Sequence, residues 1–470
     1  MPLTRPGSSP LPHRSAESGV VLALCLLVML ILAVVVSQLL FTATVDHQKA
    51  ENQALELQME SLAMAAIIKS HATLALDMED DTAQSATDEG TGSMPGQAPD
   101  NGGPTVVGHT DSLDENWHSS EVPFDLGFEA QLETWIKIVD EDSKMNVLCL
   151  LSEDEEFRLA WRDRLVRAID VLRDGKPEDL NRGEAEEIID RIEGWMKGDR
   201  PVDELDKAPL ATGGWMNENL DEYYPPLSLE ELTMVGGLKP SLLYGFSTGE
   251  DDEEEWVPGL ADILTVYSNL EMEEPIDPND PPAEEEDDNL SVDRPKVQPA
   301  QGVNNGRINV NTSRIEVLRA LFDRDIVSPI AWEDFDEYRT EVLEEQDSED
   351  SFFSSEFEPS ETGPVYPLTS VKDLRRFEGF SEESLMPEVW DEIEAALSVE
   401  SNVFTITVVV ATQEFPSRYY AARSVVWRRT NDSGDVAIVS VVPFSRISPA
   451  SVDTSDLRKK LEEWQWSGDF

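Results

Sequence analysis

The fold is decided by residues 20–41, which read VVLALCLLVMLILAVVVSQLLF and contain no charged side chain. At about 1.5 Å per residue, a helix of this length crosses a hydrocarbon core of about 30 Å. The run is also longer than the apolar core of an ordinary signal peptide, which spans about 7–15 residues. Basic residues precede the run and acidic residues follow it. The positive-inside rule therefore predicts a cytoplasmic N-terminus, with the bulk of the chain on the other side of the membrane.

The sequence beyond this run predicts that the helix continues through residues 42–78 as an amphipathic segment. Apolar residues recur there at steps of three or four, without proline or glycine. Residues 79–121 are rich in Asp, Gly, Ser and Thr, which cannot bury a core, and they predict a flexible acidic linker. Residues 122–149 are expected to hold a first strand, at 134–139.

Composition limits the class of partner and the disulfide chemistry. The formal net charge is −60 at pH 7, and such a chain repels nucleic acid unless a local basic cluster is present, which the sequence lacks. We therefore expect no nucleic-acid partner. The two cysteines are Cys25, inside the apolar run, and Cys149, far from it in the polar part. We expect no disulfide between them.

An internal repeat divides the centre of the chain. The segment that begins at Ser143 (SKMNV) resembles the one that begins at Gly306 (GRINV), and the segment that begins at Ser228 resembles the one that begins at Ser370. In the second pair, a serine followed three residues later by an acid predicts a capped helix start. A glycine with an apolar neighbour predicts the helix end.

The repeat predicts two related helical units, at residues 150–270 and 306–400. The segments that separate and interrupt them, residues 271–305 and 341–363, are acidic and predict loops.

The C-terminal part of the chain changes to the period of β-strands. Residues 401–447 predict a meander of three strands. The strands are expected at residues 404–410, 419–429 and 436–442. Pro443 is expected to end the last of them, and residues 448–470 are expected to form a tail helix. Together these segments predict an α+β protein in which a long N-terminal helix packs on a small antiparallel sheet that carries a large inserted all-α domain.

Three motifs in this order resemble those of one known family. They are residues 306–312 (GRINVNT), residues 140–147 (DEDSKMNV) and residues 259–267 (GLADILTVY). Together with the charge-free N-terminal helix, they resemble the type II secretion system protein K, the large minor pseudopilin of the general secretion pathway. The corresponding motif residues are Asn146, Asn309, Asn311 and Thr312. The resemblance spans residues 19–447, and it implies a pseudopilin fold with two SAM-like or helix-hairpin-helix-like units.

The resemblance also implies how the N-terminus is processed. Residues 1–19 would be a leader that a prepilin peptidase removes between Gly19 and Val20, followed by methylation of the new N-terminus. Ordinary pilins carry Glu at the fifth mature position, whereas this chain has Leu24 there. Protein K is similar in lacking that acid. One departure is that Glu17 and Ser18 precede Gly19, where the family leader usually has a basic residue.

The function that the resemblance implies is structural. The protein would be a single-pass inner-membrane protein with its bulk in the periplasm. It would assemble with other minor pseudopilins, cap the tip of the periplasmic pseudopilus, and assist export of folded proteins across the outer membrane. The alternatives are a membrane-anchored helix-hairpin-helix protein that binds DNA in a competence-type apparatus, and a plain membrane-anchored structural protein.

The sequence contains no catalytic constellation, so we expect no enzyme and no catalytic residue. All five histidines lie at or before His118, and no nucleophile, P-loop or zinc motif is present. No cofactor is expected with certainty. Calcium is a candidate, because the resemblance implies calcium sites in some members and because acidic runs occur at residues 251–255 and 284–288. These runs lack the spacing of an EF-hand and are more simply solvated loops.

Overall fold

The structure is a computed structural model. It describes residues 15–88, 110–115, 117–118, 132–152, 154–196, 228–235, 238–248, 255–267, 270–271, 298–299, 306–347, 366–381, 384–412, 418–430 and 436–447. The chain divides into two compact units, Met1–Ser61 and Leu62–Phe470. The described part of the first unit is helical, and the second unit holds the sheet and every other described helix. The predicted tail helix at 448–470 lies outside the described residues.

The N-terminal helix, α1, spans Ser15–Asp88. It therefore continues ten residues beyond the predicted end at Met78, into the predicted linker. The stretch from 79 to 88 is polar, but no proline or glycine interrupts the chain before Gly90, so nothing in the backbone ends the helix earlier. The linker prediction was wrong for these residues because poor core-forming composition does not prevent helix formation.

Within the second unit, α1 buries one face and exposes the other. The buried positions are related by steps of three or four residues and are Leu62, Ala63, Ala66, Ile67, Ser70, Leu74 and Met78. The alanines leave room for close packing of the backbone. The opposite face exposes Met64, Ile68 and Leu76.

The sheet has four antiparallel strands in the order β1-β10-β11-β12. These strands are β1 (Leu132–Asp140), β10 (Val403–Thr412), β11 (Tyr419–Thr430) and β12 (Val436–Ile447). The central strand β10 reads VFTITVVVAT, and its β-branched residues suit a pleated surface that is covered on both faces. The predicted α+β class, with a long N-terminal helix and an antiparallel sheet, is confirmed.

One strand boundary differs from the prediction. Pro443 does not end the last strand but lies inside β12. Because β12 is at the edge of the sheet, an internal residue without an N–H group is tolerated there. The pairing of β11 with β12 is also irregular between Arg423 and Val426, close to this proline in the sheet.

The inserted residues form short helices and short strands. The α-helices are α2 (Glu155–Leu172), α3 (Arg182–Met196), α4 (Pro240–Tyr244), α5 (Ile315–Leu321), α6 (Pro329–Asp347) and α7 (Pro387–Ala396). The 3-10 helices are Val147–Leu151, Leu229–Met234, Leu260–Asp262, Val371–Arg376 and Glu378–Phe380. The short strands are β2 (Met145–Asn146), β3 (Phe246–Thr248), β4 (Glu255–Val257), β5 (Leu264–Thr265), β6 (Leu270–Glu271), β7 (Gln298–Pro299), β8 (Ile308–Asn309) and β9 (Leu397–Ser398). The loop predicted at 341–363 begins later than expected, since α6 continues to Asp347.

The repeated segments adopt matching structures. β2 pairs in parallel with β5, and β8 pairs in parallel with β9. The segments after Ser228 and Ser370 each form a 3-10 helix of six residues rather than an α-helix. Ser370 and Asp373 make the predicted capping box, whereas the side chain of Ser228 makes no capping bond. The repeat in the sequence is therefore a repeat of local architecture.

Both helical units and the sheet share one hydrophobic core. Val403 of β10 and Val425 of β11 belong to the same buried cluster as the helices. The largest buried aromatic side chains of this cluster are Trp161, Trp332, Phe335 and Phe380. Arg423 of β11 adds an ion pair with Glu230 across the same interface, at 2.5 Å.

Gly306 shows why the second repeated segment begins with glycine. Its φ is +89°, a conformation that residues with a side chain rarely adopt. A Cβ atom placed there would also lie 2.3 Å from Cζ3 of the Trp161 ring. Both the backbone and the packing against α2 therefore require glycine at the point where β8 begins.

We predict that Gly306→Ala lowers the free energy of unfolding by about 3 kcal/mol or more, because backbone strain and overpacking against Trp161 each cost about 1–3 kcal/mol. Gly175→Ala is the matched control, since Gly175 has φ +73° but no atom within 4 Å of the added Cβ. It should lose only the strain contribution. Denaturant unfolding of the full chain in detergent micelles measures both. Equal losses for the two variants would contradict the packing argument.

Candidate functional site

The predicted processing and anchoring residues all lie in α1. Gly19, Val20 and Leu24 are within the described helix, and the side chain of Leu24 is 62% exposed. The large apolar residues that follow are exposed too, among them Leu26, Met29, Leu30, Leu39, Leu40 and Phe41. Within the described residues, this helix is long and apolar enough to cross a membrane, with a mean hydropathy of 2.9 in its most apolar window. Its length and composition suit a single-pass anchor.

The second site is a buried polar cluster in the unit Leu62–Phe470, which we call the junction. It joins the sheet to the second helical unit and to the segment around residue 111. Its members are Asp111, Asp140, Asp142, Asn309, Thr312, Ser401 and Arg428, and each is less than a tenth exposed. Polar groups in such a place cost free energy unless they are hydrogen-bonded, so their partners define what the site can do.

Arg428, on β11, is fully buried and holds two carboxylates. Its Nη1 donates to Oδ2 of Asp77 on α1 at 2.8 Å, and its Nη2 donates to Oδ1 of Asp111. Nη2 also donates to the Ser401 carbonyl at 3.0 Å, and the guanidinium lies over the Phe404 ring, 4.8 Å from its centroid. Burial favours the neutral form, but Asp111 and then Asp77 outweigh it and raise the pKa of Arg428. This side chain therefore ties α1 and the segment at residue 111 to the sheet.

Asp140 and Asp142 stand at the end of β1 with neutral donors around them. Asp140 Oδ2 accepts the Ser401 hydroxyl at 2.5 Å and the Thr312 hydroxyl, and its Oδ1 accepts the Asp142 backbone N–H at 2.7 Å. Asp142 Oδ2 accepts the backbone N–H groups of residues 402 and 403 at 2.7 and 3.2 Å. Burial, and next the charge of Asp142, raise the pKa of Asp140 to about 8. Burial also raises the pKa of Asp142 to about 6, although its two backbone donors oppose the shift.

Three of the four family-motif residues meet at or beside the junction. Asn309 Nδ2 donates to Ser401 Oγ at 2.7 Å and to the Asp111 carbonyl at 3.1 Å. Asn311 pairs with the backbone of Leu368, donating to its carbonyl and accepting its N–H, both at 3.0 Å. With Thr312 bound to Asp140, the motif links separate chain segments rather than forming a reactive centre.

Asn146, the fourth motif residue, caps the 3-10 helix Val147–Leu151. Its Oδ1 accepts the Leu148 backbone N–H at 2.8 Å, just as Asn309 Oδ1 accepts that of Asn311 at 2.9 Å. The Asn146 carbonyl accepts the indole N–H of Trp161 at 2.8 Å. The two motif asparagines therefore share one turn-forming role, and the second has additional long-range contacts.

Sequence reasoning missed Asp111, Ser401 and Arg428. Asp111 lies in the stretch predicted as a flexible linker, yet it is buried, as are Ser112 and Trp117. The linker prediction was therefore wrong for the described residues 110–115 and 117–118. Trp117, a large aromatic in an otherwise polar stretch, was the available signal.

One cluster of acidic side chains has spacings that a metal ion could bridge. Single carboxylate oxygens of Asp77, Asp111 and Glu115 lie within 4.8 Å of one another. The Arg428 guanidinium, however, binds the first two, and Glu115 accepts the Ser112 N–H and the Trp117 indole. A cation does not fit beside that guanidinium. Of the two acidic runs considered for calcium, only Glu255 is among the described residues, in β4.

The structure also bears on the alternative chemistries. Burial raises the pKa of the Cys149 thiol to about 12, so this group is not a thiolate nucleophile at neutral pH. In the repeat considered for DNA binding, Arg375 pairs with Glu394 at 3.5 Å and Arg376 with Asp373 at 3.3 Å. These ion pairs offset the basic charge that a phosphate-binding hairpin needs.

Comparison with known proteins gives a structural similarity. No family model matches the sequence, and no curated protein matches it either. A chain in the crystal structure of the GspK-GspI-GspJ complex from the enterotoxigenic Escherichia coli type 2 secretion system is similar to this chain, with 14% identity and a TM-score of 0.44. The similarity covers 85% of this chain and 99% of that chain.

We predict that Arg428→Met lowers the free energy of unfolding by about 3–5 kcal/mol, because it leaves the Asp77 and Asp111 carboxylates without their cation. Arg191→Met is the matched control. Arg191 makes an ion pair with Glu187 at 2.7 Å, but both side chains are exposed, so the loss should stay within about 0.5 kcal/mol. Denaturant unfolding at pH 7 measures the difference, and similar small losses for both variants would contradict the assignment.

Proposed function

We propose that this protein is a minor pseudopilin of a type II secretion system, anchored in the inner membrane through residues 20–41. The observation that carries the proposal is the charge-free, exposed apolar segment of α1, which continues without a break into a helix that belongs to an α+β body. The three family-like motifs, in the family's order, support it. In this proposal the body lies in the periplasm and other minor pseudopilins are its partners.

The proposal includes processing at Gly19 and Val20. A prepilin peptidase of the same system would remove residues 1–19, and the new N-terminal Val20 would be methylated. The mature chain would then begin with an apolar helix, Val20 to Phe41, with the N-terminal amine of Val20 at its first residue.

The residue at position 24 supports a place at the tip of the pseudopilus. A carboxylate in the bilayer is costly unless it has a partner, and in ordinary pilins the partner is the terminal amine of a neighbouring subunit. Leu24 makes no such pair, so a subunit with leucine there has no acid to hold a further subunit above it. The helical units add bulk beside the sheet, which would block the addition of another subunit. Capped in this way, the pseudopilus would assist export of folded proteins through an outer-membrane channel.

An exposed apolar face of α1 suits assembly with the helices of sister subunits. Met64, Ile68 and Leu76 are 45%, 61% and 59% exposed and lie on the side opposite the buried face of the same helix. Side chains at this spacing form one stripe along a helix.

The first test is mass spectrometry of the N-terminus of the protein extracted from membranes. The expected result is a chain that begins at a methylated Val20. Gly19→Val is the control, because it replaces the small residue before the cleavage point and should leave the leader in place. An intact leader in the unaltered protein would favour a plain membrane-anchored structural protein instead.

The second test concerns the stripe. Ile68→Asp should reduce co-purification with sister pseudopilins at least tenfold, since it places a charge in an apolar contact. Leu159→Asp is the matched control, because Leu159 is a similarly exposed apolar residue on α2, at 55%. Quantitative mass spectrometry of the affinity-purified full chain gives the ratio. Equal recovery of sister subunits with both variants would count against assembly through this face.

A further inference from the structure

We propose that the contacts of the junction depend on pH. The protonated carboxyl group of Asp140 holds the second helical unit and the 401–403 segment to the end of β1, and loss of this proton loosens these contacts. The inference concerns the stability of the fold and does not depend on the proposed function. It rests on the geometry of Asp140 and of the charged groups around it.

The first step is that Asp140 connects three separate segments. Thr312 stands at the start of the second helical unit, Ser401 precedes β10, and the Asp142 N–H belongs to the turn between β1 and β2. Ser401 Oγ also accepts Asn309 Nδ2 at 2.7 Å, so the hydroxyl connects the carboxyl group of Asp140 to the family motif. A change at Asp140 therefore reaches all three segments at once.

The second step is that the donors to Asp140 among the described residues are neutral. They are two hydroxyl groups and one backbone N–H, and the carboxyl group is 97% buried. These hydrogen bonds favour the ionised form, but the burial of a carboxyl group that has no cation among these donors, next to the Asp142 carboxylate, outweighs them and favours the protonated form.

The third step is the balance of charge on every side. The acids that face the site are Asp142 and Glu141 from the same turn and Asp111 from the neighbouring segment. The cations nearby are Arg428, Lys144 and Arg339. Arg428 is bound to Asp77 and Asp111, and Lys144 is bound to Glu141 at 2.9 Å. Arg339 of α6 is bound to Asp336 and to the carbonyls of Asn311 and Ser313.

These cations therefore have acidic partners other than Asp140, and the nearest charge that acts on Asp140 is the like charge of Asp142. Ionisation of both carboxyl groups places two negative charges in one buried turn, and their repulsion acts on the contacts with residues 401–403.

The sign of the pH dependence follows from these contacts. The pKa of Asp140 is about 8 and that of Asp142 about 6 in the folded chain, against about 3.9 for an ordinary aspartate. The closed junction therefore binds more protons than the opened one. Its stability is complete below pH ~4 and falls as pH rises. Each opening event releases about two protons when it occurs between pH ~4 and ~6, and about one when it occurs between pH ~6 and ~8. Above pH ~8 the stability should be level.

The test is hydrogen exchange at the backbone N–H groups of residues 401–403 in the full chain, in detergent micelles with EDTA, from pH 5 to 9. After correction for intrinsic exchange, the opening equilibrium should increase about tenfold for each pH unit between 6 and 8 and then level off. Asp140→Asn, which resembles the protonated carboxyl group, should remove this step and leave a change of less than about threefold. Asp142→Asn removes the like charge that raises the pKa of Asp140, so its profile should show a one-proton step that ends at lower pH than in the unaltered chain.

Asp334→Asn is the matched control, because Asp334 is an exposed acid on α6 and its replacement should leave the profile of the unaltered chain. A profile that is flat, or that falls with rising pH, would overturn the proposal, and so would an Asp140→Asn variant that keeps the tenfold step. If Asp140→Asn does not fold, the profiles of the unaltered chain and of Asp142→Asn decide, since the first must show the step between pH 6 and 8 and the second must show it displaced to lower pH.

Discussion

The contact between the Arg428 guanidinium and the carboxylates of Asp77 and Asp111 is the interaction on which the unit Leu62–Phe470 depends. It brings α1, the segment at residue 111 and the sheet together out of water. Removal of three charges from water costs several kcal/mol for each ion, and only close pairing offsets that cost. The three charges are therefore all paired only when α1, the segment at residue 111 and the sheet are in place together.

Beside this ion cluster, neutral polar groups form the hydrogen bonds of the rest of the junction. Asp140 contacts hydroxyl groups and Asn309 contacts Ser401, so the junction combines one ion-paired part with one part in which burial favours protonation. The difference arises because Arg428 reaches Asp111 but not Asp140. Two nearby acids thus have different surroundings, set by whether a guanidinium is within hydrogen-bonding distance.

The family-like motif acquires a physical meaning in this setting. Asn309 and Asn311 hold backbone groups of distant segments, Thr312 binds Asp140, and Gly306 allows close packing on Trp161. These residues build the connection between sheet and helical unit. A sequence resemblance carried by such a motif therefore reports architecture, which is why it predicts an assembly role and no reaction.

The apolar helix at residues 20–41 and the repeated strand and helix segments could be predicted without a structure. Hydrophobic periodicity and backbone preference are local properties of the chain. Local properties were less informative at the ends of elements: α1 continues to Asp88, α6 continues to Asp347, and β12 includes Pro443 because it lies at a sheet edge. The sequence motifs contained Asp140, Asn309 and Thr312, but the contacts that form the junction could not be predicted from them. Arg428 is 351 residues from Asp77 and 317 from Asp111, and no local pattern links positions so far apart. Their pairing, and the protonation that burial imposes on Asp140, exist only once the folded chain has excluded water from these side chains.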